Sequence, residues 1–198
     1  MLYESRGARP RVDPDALVAA SAIVSGDVTI GPGSRVMHGA VLTAEDGPIV
    51  IGANVVVLEN AVIRGRAGHS AIIGDEVMVG PHAHVNGCTV GSGAFIATGA
   101  SVFPGAVIGE GAEVRINAVV QVNTRLAAGA VVPISWVAVG DPAQLFSPDR
   151  HDEIWAMQRT LDFVGTVYGA GNDATMKDIM RSQSEFYGAH REDTELAD

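Results

Sequence analysis

Aromatic residues make up only 5% of this 198-residue chain, and it has a single cysteine and a single lysine. No apolar run approaches the roughly 20 residues that a membrane span needs. Each scarcity excludes something. Lone Cys88 can form neither an internal disulfide nor a thiolate metal cluster, which suits a reducing compartment. One lysine in a chain of net charge −10 gives no basic patch for phosphates, so nucleic acid is not an expected partner. The opening MLYESRGARPRV has arginines but no apolar core behind them, so neither a secretory leader nor a membrane partner is expected, and the expected location is cytoplasmic. With few rings, something else must fill the core. What is abundant is glycine, at 24 residues, within a chain that is 47% hydrophobic.

The apolar residues recur every six positions: Val18, Val24, Ile30, Val36 and Leu42, then Ile51, Val57 and Ile63, then Ile73, Val79 and Val85. After one five-residue step the series resumes at Val90 and runs through Ile96, Val102, Ile108, Val114, Val120 and Leu126 to Val132. Two residues before each stands a small or β-branched residue, Ile49 alone being large. A period of six is neither helical nor simple alternation, but residues n and n−2 share one face of a strand. Each hexad therefore predicts a short strand and a corner, and glycine often supplies the corner, as after Ile30, Ile73 and Val90. Three hexads would close one triangular turn, with turns stacked about 4.8 Å apart. The [LIV]-G-x4 pattern over residues 16–133 resembles the left-handed parallel β-helix of hexapeptide-repeat proteins. The expected fold is thus an all-β left-handed β-helix over 12–146, a C-terminal helical appendage over 147–190 and a frayed acidic tail over 191–198. Cys88 falls on an inward small-residue position, which makes it a core residue.

Beyond the prism exit at Val139-Gly140-Asp141-Pro142-Ala143, Ser147 and Pro148 predict a helix start, with Ile154, Trp155, Gln158 and Leu161 along one side. FVGTVYGAGND reads as a glycine-rich connection. A second amphipathic segment is predicted from near Asp173, burying Met176, Ile179, Met180, Phe186 and Tyr187.

Counting hexads by threes, across interruptions at 43–48 and 64–70, puts Leu42, Ile63, Val85, Val102 and Val120 on one prism side. The residues after them form an outward column: Thr43, Arg64, Asn86, Phe103 and Gln121. Pro81 falls on another side and meets this column only across a subunit interface. Two segments, GAVLTAEDGPIVIGANVVVLENAVIRG and IIGDEVMVGPHAHVNGCTVG, are similar to the γ-class carbonic anhydrase patterns AVLRGDxxPIxIGxxxNxQDxxxxH and IGxxxTVGHxxxxHGCxIG. The resemblance covers most of 12–145. It implies a homotrimer in which three histidines hold zinc between subunits. Here the corresponding positions are Arg64, Pro81 and Asn86, and the family's arginine, aspartate and glutamine correspond to Thr43, Glu45 and Leu58.

The expectation is therefore a γ-carbonic-anhydrase-like trimer without the zinc site or any cofactor. A small anionic or acyl ligand would bind through Arg64, Asn86, Asp46, Glu59, Phe103 and Gln121. The plainer reading gives Arg64 a salt bridge to Glu45, Asp46 or Glu59 that holds the trimer together, and the two can coexist. Two enzymatic alternatives stand beside it. One is an acyltransferase or thioesterase using coenzyme A, with His69 or Glu45 as catalytic candidates. The other is a zinc hydratase with ligands relocated to His69, His82 and His84, of which His82 and His84 would point the same way along a strand. His38 and Glu59 form a possible pair on the column of Pro81.

Overall fold

The computed structural model describes residues 1–171 and 173–196. Short parallel strands form the three sides of a left-handed prism. One side is a ten-stranded sheet and the other two have seven strands each. Consecutive strands fall on successive sides, so that each pairs with the strand one turn away. Val62–Arg66, for example, lies between Val41–Glu45 and His84–Asn86.

The six-residue pattern places the core. Every aliphatic of the series from Val24 to Val132 is buried, and only Val18, in the first turn, is partly open. Between them lie the small residues two positions earlier, all buried from Ala22 to Thr124. A narrow prism has room for one large and one small inward residue per hexad, which is why so few aromatics suffice. Cys88 belongs to this interior, and burial pushes its thiol pKa up to about 12.

Two departures from the hexad matter for the site. The interruptions at 43–48 and 64–70 extend two neighbouring strands of the long sheet to five residues each, Val41–Glu45 and Val62–Arg66. They stack in register, with Arg64 beside Thr43 and Arg66 beside Glu45. Just past the first strand, Gly47 packs backbone to backbone on Gly65 of the second, where a Cβ on Gly65 would overlap the Gly47 carbonyl. The result is a flap rising from one prism edge.

The prism begins earlier than residue 12, because Leu2–Glu4 adds a parallel strand to the long sheet beside Ile23–Ser25. At the other end Gln144–Phe146 turns back antiparallel on Val137–Val139. Helix α1 (His151–Gln158) caps that end, its Ile154 packing with Val139 and Phe146. Two expectations fail here. Arg150, not Ser147, precedes the first turn, without a side-chain cap, and Trp155 is exposed.

The glycine-rich connection contains a helix, α2 (Phe163–Tyr168). Asp162 caps it by accepting a hydrogen bond from Gly165 N at 3.2 Å, and Val167 is buried. Helix α3 (Met176–Gly188) starts at a Thr175/Asp178 capping box. Only Ile179 of its predicted apolar face is buried, while Met176 and Met180 are exposed. The tail is not frayed through Glu195: after a 3₁₀ turn at Ala189–Glu192, Thr194–Glu195 pairs antiparallel with the strand Leu2–Glu4. Residues 197–198 of the expected tail lie outside the described residues. No helix among the described residues is long and apolar enough to cross a membrane.

Candidate functional site

The outward column forms as the hexad count requires. Arg64 lies in register with Thr43 on one side and Asn86 on the other, and Phe103 and Gln121 follow on the next turns of the same sheet. The column is covered in part by its own chain: Phe163 of α2 packs on Phe103, and Tyr187 of α3 accepts a hydrogen bond from Arg64. Between these helices and the sheet is a cleft of about 510 Å³. From the prism come Arg64, Arg66, His84, Asn86 and Phe103, and from the helices Phe163, Val167, Tyr168, Met180 and Tyr187.

Alternation explains the polar floor. In the strand Val62–Arg66, Ile63 and Gly65 are buried, so Arg64 and Arg66 share the outward face. Arg64 Nη2 donates to Tyr187 Oη at 2.7 Å and lies 3.5 Å from Glu45 Oε1. Arg66 makes no ion pair among the described residues. The His84 pKa is lowered, by burial first and then by the charges of Arg64 and Arg66. Asn86 and Gln121 are buried, and Asn86 Oδ1 and Gln121 Oε1 have no hydrogen-bond partner among the described residues. Phe103, expected on an open column, packs against Phe163 at 5.7 Å between ring centroids, and Phe163 against Tyr168 at 6.3 Å.

Glu45 is only 4% exposed and sits at the centre of a charge cluster. Arg64 reaches it from the prism and Arg6 from the N-terminal segment at 4.0 Å, while His190 Nε2 lies 3.1 Å from both carboxylate oxygens. His190 Nδ1 is 2.8 Å from Asp193. Burial alone would lower the His190 pKa, but the hydrogen bond to Asp193 and the charges of Glu45 and Asp193 outweigh it and raise it. Asp46, in a left-handed turn, pairs with Arg6 at 3.1 Å. Of the three carboxylates offered as partners of Arg64, the structure therefore selects Glu45. Glu59 is exposed on another prism side and is not brought to Arg64 within the chain. His38 pairs with Ser21 at 2.8 Å rather than with Glu59.

The three histidines are not gathered into one site. His69 lines a smaller neighbouring cleft of about 310 Å³ with Glu45 and Arg66, and His84 lines the larger one. His82 is exposed in a left-handed corner before the strand begins, so it does not share the direction of His84. Among the described residues no group of three or more histidine, cysteine, aspartate or glutamate side chains converges to hold a metal ion. Arg64, Pro81 and Asn86 do not fit zinc either. A guanidinium faces Asn86 in register, and proline offers no donor.

Sequence reading passed over Arg66, Arg6, Phe163, Tyr168 and His190. Only Arg66 carried a usable signal, since strand alternation places it with Arg64.

No protein-family model matches the chain. Over 94 residues it is 38% identical to the mitochondrial gamma carbonic anhydrase 1 of Arabidopsis thaliana, covering 44% of this chain and 34% of that protein. It is 29% identical over 94 residues to the carnitine operon protein CaiE of Escherichia coli, covering 48% of each. The chain thus matches between a third and a half of the length of these relatives. A crystal structure from Bacillus cereus, described as a candidate acetyltransferase, has a TM-score of 0.56 at 21% identity over 94% of this chain and 96% of that one, a likeness of fold alone. The chain folds as a left-handed β-helix built on a six-residue repeat, and over 44% of its length its sequence is similar to a γ-class carbonic anhydrase.

Proposed function

We propose that this protein forms a γ-carbonic-anhydrase-like homotrimer without zinc, in which the cleft beside the subunit interface binds a small anionic or acyl ligand. The observation that carries the reading is Arg64. It occupies a position where the resemblance puts a zinc-binding imidazole, and Glu45 and Tyr187 hold its guanidinium at the cleft floor. A fixed planar fork of donors suits a carboxylate-like anion and repels a metal cation. Lone Cys88 suits a reducing compartment, and the proposal places the protein in the cytoplasm.

The test is elemental mass spectrometry on protein purified without a histidine tag or chelator, with zinc in the growth medium, followed by calorimetric titration with acetate and bicarbonate. The expected result is no stoichiometric zinc, and anion binding weakened at least about tenfold by Arg64→Gln. One zinc per subunit, or the absence of any anion binding, would overturn the proposal. A sedimentation profile showing only monomer at micromolar concentration would remove the interface from it. A second reading, acyl transfer or thioester hydrolysis, draws on His69 in the smaller cleft. It requires an acyl-CoA-dependent rise in melting temperature that His69→Ala abolishes.

A further inference from the structure

Arg64 is anchored through Nη2 by a buried carboxylate and a tyrosine hydroxyl, which offsets its charge while Nε and Nη1 have no partner among the described residues. Arg66 lies two residues on, projects from the same face, lines both clefts and has no ion pair among the described residues. Of the two arginines lining the larger cleft, it is the one without a carboxylate partner among the described residues. Above it the wall of the larger cleft is apolar and aromatic. Phe103, Phe163 and Tyr168 pack in tilted and edge-to-face pairs. Met180 is 47% exposed at the edge of the cleft, an apolar side chain left uncovered on a helix whose Ile179 is buried. A volume of about 510 Å³ lies within the range of small-molecule sites.

We infer that the ligand of this cleft is a monocarboxylate with an aromatic or compact hydrocarbon tail, its carboxylate on Arg66 beside the anchored Arg64 and its tail between Phe103, Phe163 and Met180. The inference rests on the anion-binding reading above and specifies its substrate class. A carboxylate matches the planar guanidinium fork with two parallel hydrogen bonds. Glu45 offsets the charge of Arg64, and burial with the two arginines disfavours the charged form of His84, so a single negative group suits the site. An added ring would extend the existing edge-to-face series, the geometry aromatic quadrupoles prefer. A thioester lacks the carboxylate, so the free acid and not its coenzyme A ester is the ligand.

The experiment is calorimetric titration of the full chain with 3-phenylpropionate, acetate, 3-phenylpropanamide and 3-phenylpropionyl-CoA. The acid is expected to bind at least about tenfold more tightly than each of the other three. Arg66→Gln should weaken the acid at least about tenfold and Arg66→Lys less, while Met180→Ser weakens the acid but not acetate. Melting curves of the three variants verify folding, since both positions are open to solvent. Equal affinity for acetate and 3-phenylpropionate would leave the anion site standing and overturn the tail assignment. Equal affinity for the amide, tighter binding of the thioester, or an unaffected Arg66→Gln variant would overturn the carboxylate assignment. No binding by any anion would overturn the underlying reading as well.

Discussion

Replacing Glu45 by glutamine removes one charge and keeps the shape, and Glu45 is the point at which three distant parts of the chain meet. Arg64 belongs to the prism, Arg6 to the N-terminal segment, and His190 to the turn after α3. Glu45 itself is 4% exposed, whereas the three partners are between 25% and 31% exposed, so water screens part of each attraction. Hydrogen bonds to charged groups contribute about 1.5–3 kcal/mol where well formed, and with this screening Glu45→Gln should cost about 2 kcal/mol. For a chain of this size that is a fall in melting temperature of roughly 4–8 °C. The sign of the pH dependence follows from His190. Its folded pKa is raised above the ordinary 6.5, so its contribution is complete below that pH and is lost as pH rises through the folded value. Asp193, whose pKa is lowered despite burial, by hydrogen bonds to Ser5 and His190, stays charged throughout that window. The gap between parent and Glu45→Gln should therefore be wider near pH 6 than near about pH 9. A double-mutant cycle with His190→Ala should give a coupling of about 1 kcal/mol at the lower pH. A gap below about 1 °C at pH 6, or one that widens with pH, would refute the reasoning.

Three further outcomes follow from local geometry. Gly65→Ala would drive a Cβ into the Gly47 carbonyl at the base of the flap, and should cost at least about 2 kcal/mol, read as a lowered denaturation midpoint. Asp162→Ala removes the cap of α2 from a residue with positive φ, and should cost about 1 kcal/mol and speed amide exchange in Phe163–Tyr168. Asp162→Asn, which keeps an acceptor and tolerates that backbone, should exchange like the parent. Cys88 should resist thiol reagents in the folded protein at about pH 8 and titrate as one thiol in denaturant, because burial holds it protonated. Rapid native labelling would contradict its place in the core.

The prism was legible because its determinants are local. A strand of two or three residues, a corner and an inward pair repeat within each hexad, and counting by threes assigns every side chain to a prism face without knowledge of the rest. That count put Arg64 beside Asn86 and Pro81 on another side. What closes the cleft is carried by no such period. Arg64 meets Tyr187 across 123 positions of sequence, and Glu45 meets His190 across 145. Helix α2 has only six residues, one of them glycine, and is held by its cap and by contacts with the prism. Composition alone therefore gives a loop. Met176 and Met180 match the apolar spacing of α3 yet remain exposed, since the helix is seated chiefly by Ile179 and by polar contacts at its C-terminal end. The same argument explains why Arg64 drew attention and Arg66 did not. A resemblance marks the position where an imidazole was expected, whereas Arg66, without an ion pair among the described residues, stands out only after Glu45 is seen to pair with Arg64. On this fold the repeat dictates which residues line a face, and the non-repetitive helices decide which of them remain available to a ligand.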